Sequence, residues 1–158
     1  MLGGPVLSRT LSARALILAI ALGISAFSFS AAPAASPSTV SAAGCVRFVN
    51  SNFDAAGNDN YAANLNGEWV RIKNVCTTTK SLSYWTIRDY GSKHVYRFPY
   101  GVKIRAGATI TLYSGRGTNT VSKRYWGRSY GAVWNNSAPE YAYLKNAAGT
   151  LQSRWTEY

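Results

Sequence analysis

Hydrophobic and polar side chains alternate along short runs after about residue 45. Val70 and Ile72 share one side of an extended segment whose other side carries Arg71 and Lys73, and residues 109–113 alternate in the same way. A period of two residues is typical of a strand with one buried face. The runs are interrupted every 8 to 15 residues by Gly, Asn, Pro or Ser. This spacing predicts an all-β sandwich or barrel.

Nine strands are predicted from these runs, over 45–49, 68–75, 82–88, 94–98, 109–113, 124–126, 132–134, 141–145 and 151–155. Three glycine-containing segments, 90–92, 106–108 and 146–149, are predicted to be hairpin connections, because glycine adopts positive φ without steric cost. Trp85 lies on the same side of its run as Ile87. We expect its large indole to fill the centre of a small sandwich.

The N-terminal part of the chain has a different composition. Two arginines, Arg9 and Arg14, precede an apolar run over 15–29, and Ala-Pro-Ala at 32–34 supplies small residues that suit signal peptidase. The apolar run is shorter than the roughly 20 residues that span a bilayer, so we expect no membrane anchor after cleavage. The predicted layout is a secretory signal over 1–34, a linker over 35–44 and one domain over 45–158 of a secreted protein.

Cys45 and Cys76 are the two cysteines of the chain. An oxidising compartment favours a disulfide between them. Closing a loop of about 30 residues would stabilise the fold by about 3.5 kcal/mol in the chain-entropy account. Two alternatives stay open at this point. The thiols could remain unpaired in the core, or Cys45, preceded by small residues, could carry a lipid.

Basic residues outnumber acidic ones by 17 to six, which gives a net charge of +11. Arg9 and Arg14 would leave with the signal, so the mature chain would carry +9. Such a charge attracts nucleic acid, anionic cell-wall polymers and acidic glycans without selecting among them. The alternative is a solvated surface with an excess of one sign.

Cations and aromatic rings are interleaved between residues 116 and 130. Cations neutralise phosphates, and rings stack on bases or sugars. The predicted polyanion-binding residues are Arg116, Lys123, Arg124, Trp126, Arg128 and Tyr130. The alternative is that Tyr125 and Trp126 pack internally and leave only scattered cations.

The stretch Ser-Gly-Arg-Gly-Thr-Asn-Thr at 114–120 combines glycines, a cation and hydroxyl groups. A phosphate-binding P-loop would need a Lys followed by Ser or Thr, and then a helix. The stretch has no such pair, and the residues that follow it read as extended chain. It is therefore predicted to connect two strands, with a weak anion contact through Arg116 as the alternative.

Catalytic and metal-binding patterns are weak. A Ser-His-Asp arrangement would need the single histidine, His94, with Asp89 and a serine, but no nucleophile elbow is present. The oxygen-rich segment 54–60 lacks the alternating ligands of an EF-hand, and Asx-turns explain its composition. We expect no catalytic residue, no metal and no cofactor, and a structural role for His94.

Six segments together resemble the lamin tail domain, an immunoglobulin-like sandwich found in nuclear lamins and in many secreted bacterial proteins. They are Leu-Asn-Gly-Glu-Trp-Val-Arg-Ile-Lys-Asn at 65–74, Leu-Ser-Tyr-Trp-Thr-Ile-Arg-Asp at 82–89, His-Val-Tyr-Arg-Phe-Pro at 94–99, Ala-Gly-Ala-Thr-Ile-Thr-Leu-Tyr-Ser-Gly at 106–115, Tyr-Trp-Gly at 125–127 and Val-Trp-Asn-Asn at 133–136. The resemblance implies an all-β, immunoglobulin-like β-sandwich. It also implies that Asp59, Asn66 and Glu68 belong to a network that fixes loops.

The chain departs from the family pattern after Asn136. Where the family has a polar residue, Gly and Asp, this chain has Ser-Ala-Pro-Glu at 137–140, with Glu140 in place of the acid. Coiled-coil heptads are absent, so filament assembly is not implied.

These observations predict a secreted, non-catalytic binding module for an anionic polymer, either at the cell surface or as extracellular DNA. Two alternatives belong to other classes. One is a small secreted nuclease or hydrolase, or an accessory protein of one. The other is an adhesive component that recognises a protein partner through an exposed sheet edge.

Overall fold

The computed structural model describes residues 44–58, 61–135 and 139–157. The strands in these ranges are β1 (Val46–Asn52), β2 (Trp69–Asn74), β3 (Lys80–Ser81), β4 (Thr86–Arg88), β5 (Val95–Arg97), β6 (Lys103–Ile104), β7 (Thr109–Tyr113), β8 (Lys123–Tyr125), β9 (Glu140–Lys145) and β10 (Leu151–Glu157). Two short 3-10 helices cover Leu65–Gly67 and Tyr90–Ser92. Within the described ranges, no helix is long and apolar enough to cross a membrane.

Two four-stranded sheets form the sandwich. One has the strand order β1-β2-β7-β8 and the other has the order β10-β9-β4-β5, while β3 and β6 form a separate two-stranded pair. Val70, Ile72 and Leu112 of the first sheet belong to the same buried cluster as Ile87 and Leu144 of the second. The predicted alternation in β2 is confirmed, because Val70 and Ile72 are buried and Arg71 and Lys73 are only partly so. The all-β, immunoglobulin-like fold predicted from sequence is also confirmed.

The strand predictions are wrong in three respects. Residues 132–134, predicted as a strand, form a loop. The strand predicted over 82–88 begins only at Thr86, and the two-residue strands β3 and β6 were not predicted. Of the three predicted hairpin connections, 90–92 joins paired β4 and β5, and 146–149 joins paired β9 and β10. The turn at 106–108 instead leads from β6 to β7, which belong to different sheets.

The large buried indole is Trp134, not Trp85. Trp134 is 3% exposed and stacks on Phe53 with ring centroids 4.6 Å apart, and it forms a T-shaped contact with Trp126 with centroids 5.9 Å apart. Trp85 is only partly buried at the margin of the core. It precedes β4 and follows Tyr84, whose φ of 65° turns the chain, so the strand alternation does not extend to the indole.

Cys45 and Cys76 form a disulfide, as predicted. The bond ties the residue before β1 to the segment after β2, and the two strands are antiparallel neighbours. Neither cysteine in the described structure is free. Both alternatives for these residues, unpaired thiols and lipid attachment at Cys45, are therefore wrong.

Candidate anion-binding surface

The outer face of the first sheet collects aromatic and basic side chains from four strands. The register aligns Trp69 with Tyr113 and Tyr113 with Tyr125, which forms a row of rings across the sheet. The next row contains Arg71 and Lys123. Paired residues project to the same side of a sheet. We call this surface the basic sheet face and define it by Arg47, Arg71, Lys73 and Lys123 with Trp69, Tyr113 and Tyr125.

The side chains of this face are held in place by one another. Arg71 donates a hydrogen bond from Nε to Thr111 Oγ1 at 2.9 Å, and its guanidinium lies 4.9 Å from the centre of the Trp69 ring. Tyr113 and Tyr125 stack with centroids 5.3 Å apart and planes 20° apart. Because these two rings cover each other, the face offers ordered charges and ring edges to a ligand rather than open stacking surfaces.

Carboxylates are kept away from the basic sheet face. Among the described residues, no acidic oxygen lies within 4 Å of a basic nitrogen of Arg47, Arg71, Lys73 or Lys123, and the ion pair that the structure shows joins Asp89 to His94. Three of the six acidic residues, Glu68, Asp89 and Glu140, are buried. Backbone N–H groups bind the carboxylates of all three. These carboxylates are therefore directed towards backbone donors inside the fold rather than towards the cations of the basic sheet face.

The predicted polyanion-binding residues do not form one patch. Lys123 lies on the basic sheet face, but Arg124, the next residue, points to the other side of β8 because strand side chains alternate. There Arg124 lies near Tyr96: burial raises the pKa of this tyrosine, and the charge of Arg124 partly lowers it again. Trp126 packs against the core, with its ring 5.9 Å from Tyr96. The internal-packing alternative is thus correct for Trp126, whereas Tyr125 lies on the outer face.

Arg116, Arg128 and Tyr130 lie in loops. Arg116 Nε donates to Gly127 O at 3.3 Å, and Arg128 donates to Gly131 O at 2.7 Å and to Tyr130 O at 3.1 Å. The Tyr130 ring is 67% exposed and contacts Tyr61 edge-on at 6.3 Å. These guanidinium groups fix the backbone of their own loops, which explains their position without a ligand.

Arg47, Arg71, Lys73 and Trp69 were not among the predicted binding residues. The alternation in β2 had placed three of them on a solvent-facing side. Their importance depends on β2 lying between β1 and β7, and on β8 adding Lys123 and Tyr125 at the edge. These cations come from separate segments of the chain and become neighbours only through strand pairing, so clustering along the sequence does not indicate them.

The glycine-rich stretch 114–120 supports this face and does not form a phosphate cradle. Thr120 Oγ1 accepts hydrogen bonds from the backbone of Ser122 and Lys123, and Asn119 Oδ1 accepts one from Tyr125 N–H. A Cβ atom at Gly117 would collide with the Tyr125 ring. The prediction that the stretch connects two strands is confirmed, since β7 precedes it and β8 follows.

A cavity of about 420 Å³ brings the single histidine together with two carboxylates. His94 Nδ1 lies 2.9 Å from Asp89 Oδ2, and its backbone N–H donates to Asp89 Oδ1 at 2.9 Å. Glu140 accepts backbone hydrogen bonds from Tyr90, Asn135 and Tyr141. The described lining contains no Ser, Thr or Cys side chain. His94 thus has an orienting carboxylate but no Ser, Thr or Cys nucleophile among the described lining residues, and Glu140 fixes the loops around it.

The loop-fixing network that the resemblance implied is present around Glu68. The Glu68 carboxylate accepts hydrogen bonds from Val133 N–H at 3.1 Å and from Trp134 N–H at 2.9 Å, and Asn66 Nδ2 donates to Arg116 O at 2.9 Å. Asp59, the third expected member, lies outside the described residues. Glu68 satisfies the amides of 133 and 134, so this segment needs no strand partner.

The oxygen-rich segment, 54–60, is described only to residue 58. Two asparagine side chains bind its backbone: Asn52 Nδ2 donates to Asp54 O at 3.0 Å, and Asn64 Nδ2 donates to Asn58 O at 2.8 Å. In the described part of the chain, no group of three or more His, Cys, Asp or Glu residues is arranged to hold a metal ion.

The comparison with protein families agrees with this architecture. No curated protein matches the chain. The sequence model described as Lamin Tail Domain matches residues 39–158, which include every strand given above and the basic sheet face. With this match over more than half of its length, the chain belongs to the lamin tail domain family.

Proposed function

We propose that this protein is a secreted, non-catalytic binding module that holds an anionic polymer with a phosphodiester backbone on the basic sheet face. The observation that carries the proposal is the register that aligns Arg71 with Thr111 and Lys123, and Arg47 with Lys73. Four cations are thereby placed on one sheet surface free of described carboxylates. The apolar run and small residues at the N-terminus support export from the cell.

The chemistry of the face suits a repeating anion. Paired positions on neighbouring strands lie about 5 Å apart, so adjacent cations can contact successive phosphates. Arg71 is already ordered by Thr111 and Trp69, which lowers the entropy lost on binding. The ring edges of Tyr113 and Tyr125 border these cations, and phenol hydroxyl groups can donate hydrogen bonds to phosphate oxygens.

A salt titration tests the proposal. Binding of the wild type to duplex DNA, to a teichoic-type polymer and to a neutral glycan is measured at increasing salt. Neutralising about four phosphates gives a slope of about −3.6 in log affinity against log salt for duplex DNA. We expect binding of both polyanions at low salt and none of the neutral glycan.

A charge-matched pair of variants locates the surface. The triple variant Arg71→Gln, Lys73→Gln, Lys123→Gln should reduce the magnitude of the DNA slope by about 2 to 3. The control, Lys80→Gln, Lys93→Gln, Arg97→Gln, loses the same charge from positions outside the basic sheet face and its supporting loop, and we expect a smaller effect. Equal losses in the two variants would show that net charge alone acts, and no polyanion binding at low salt would refute the proposal.

A further inference from the structure

A separate cavity lies between the β3–β6 pair and the edge strand β8. Its volume is about 550 Å³, within the range of small-molecule sites. Its lining includes Lys103 and Arg105 from β6 and its following turn, Ser122 directly before β8, and Arg124 of β8. Arg124 reaches it because alternation along β8 turns this side chain away from the basic sheet face.

The charged residues that line this cavity are all basic. Lys103, Arg105 and Arg124 contribute three cations, and the described lining contains no Asp or Glu. Arg124 Nε is shielded from solvent and has no hydrogen-bond partner. A buried N–H group without an acceptor is costly, and an anionic oxygen would satisfy it with a charge-assisted hydrogen bond.

The same cavity has an apolar wall. Val102 lines it as a buried residue, and Val121 lines it while 87% exposed. The cavity is also much larger than a single phosphate group needs. A ligand that fills it combines an anionic head with a less polar body.

We propose that this cavity binds a phosphomonoester, with the phosphate against Arg124 and its neighbouring cations and the body of the ligand against Val102 and Val121. A phosphomonoester carries a charge of about −1.5 to −2 at neutral pH, which matches three cations better than a carboxylate or a diester does. The ester has two possible sources: a free small molecule, or the phosphorylated end of a polymer. The inference does not depend on the basic sheet face.

Calorimetric titration with glucose 6-phosphate, and with glucose as the uncharged comparison, tests the site. We expect glucose 6-phosphate to bind and glucose not to bind. Arg124→Gln should weaken binding about tenfold or more, since it removes a charged hydrogen-bond donor. Lys103 is exposed, so Lys103→Gln should leave the core intact. This variant should also weaken binding of glucose 6-phosphate. Arg97→Gln, an exposed cation on the other sheet, is the matched control.

Two further measurements distinguish a free phosphomonoester from a polymer end, and the cavity from the basic sheet face. A single-stranded oligonucleotide with a 5′-phosphate is compared with the same oligonucleotide ending in a hydroxyl, and a preference for the first that Arg124→Gln abolishes assigns the site to polymer ends. Equal binding of the two leaves the free ester as the ligand. Circular DNA has no ends, so its affinity should be almost unchanged by Arg124→Gln, even if the phosphomonoester site exists. Equal heats for glucose 6-phosphate and glucose, or equal losses in Lys103→Gln and Arg97→Gln, would overturn the inference.

Discussion

Glu68 shows how a single residue replaces a strand partner. Its side chain is fully buried, and its carboxylate accepts hydrogen bonds from the backbone of Val133 and Trp134. These contacts hold the loop that places the Trp134 indole against Phe53. A carboxyl group in the core is tolerated here because backbone N–H groups donate hydrogen bonds to it.

We predict that Glu68→Gln lowers the free energy of unfolding by about 2 kcal/mol. The amide retains one acceptor oxygen and turns a donor towards a backbone N–H group, so one buried hydrogen bond is lost. Urea unfolding followed by tryptophan fluorescence measures the change. The comparison variant is Glu157→Gln, because Glu157 is half-buried and accepts from Ser51 and Phe53 near the surface. A larger loss in Glu157→Gln would contradict this account.

His94 permits a second prediction at the same scale. The Asp89–His94 dyad supplies two members of a hydrolytic triad, but the described lining of its cavity contains no Ser, Thr or Cys side chain. We expect purified protein to release no nucleotides from DNA in magnesium or calcium, and His94→Ala to behave identically. Turnover by the wild type that is lost in His94→Ala would instead establish the enzymatic alternative.

At the scale of elements, two devices hold the first sheet together. The disulfide connects the start of β1 with the segment after β2, and the glycine-rich connection covers the Tyr125 ring at the edge of β8. The parallel strand β8 is short, and loop side chains bind its backbone amides. The basic sheet face therefore depends on the connection as much as on the strands.

Replacing both cysteines, Cys45→Ser and Cys76→Ser, should lower the free energy of unfolding by about 3.5 kcal/mol, because the unfolded chain regains the entropy of a loop between residues 31 apart. Chemical unfolding of the variant and of the oxidised wild type gives the difference. Reduced wild type is the control and should behave like the variant. Equal stability of the oxidised and reduced forms would contradict the prediction.

Gly117→Ala should destabilise the protein by about 1 to 3 kcal/mol, because the added methyl group would overlap the Tyr125 ring. Combining it with Tyr125→Ala tests the cause. If the ring is the obstacle, the double variant should be hardly less stable than Tyr125→Ala alone. Additive losses in a double-mutant cycle would place the strain elsewhere.

At the scale of the whole molecule, basic residues lie on both outer faces of the sandwich. The second sheet carries an outer row in which Arg154 aligns with Tyr143, and Tyr143 with Arg88. Arg97 and Lys145 align with Thr86 beside this row. The two faces are separated by the core, so one polymer strand cannot follow both without bending around the domain.

We therefore expect the wild type to bridge two DNA duplexes at low salt, which static light scattering would detect as a rise in apparent mass. The Arg71→Gln, Lys73→Gln, Lys123→Gln variant should still bind one duplex through the second face but should bridge much less. Scattering equal to that of the wild type would show that the basic sheet face has no part in bridging. Sedimentation of each protein alone is the control for self-association.

The sequence by itself determined the features that depend on residues close together in the chain. It also determined the disulfide, because two cysteines can pair in only one way. A period of two is visible within five residues, so β2 and β7 and their buried faces were predictable, as were the sandwich fold and the disulfide between the only two cysteines. The excess of positive charge is also a property of composition. Composition does not indicate which cations lie next to each other on the folded surface.

Tertiary structure alone decided the candidate sites. Glu68 and Trp134 are 66 residues apart, and Arg47 aligns with Lys73 only through the pairing of β1 with β2. Adjacent Lys123 and Arg124 serve different surfaces, because successive side chains of a strand point to opposite sides. Which residues share a surface depends on strand order and register, and these are set by the packing of the whole core rather than by any local segment.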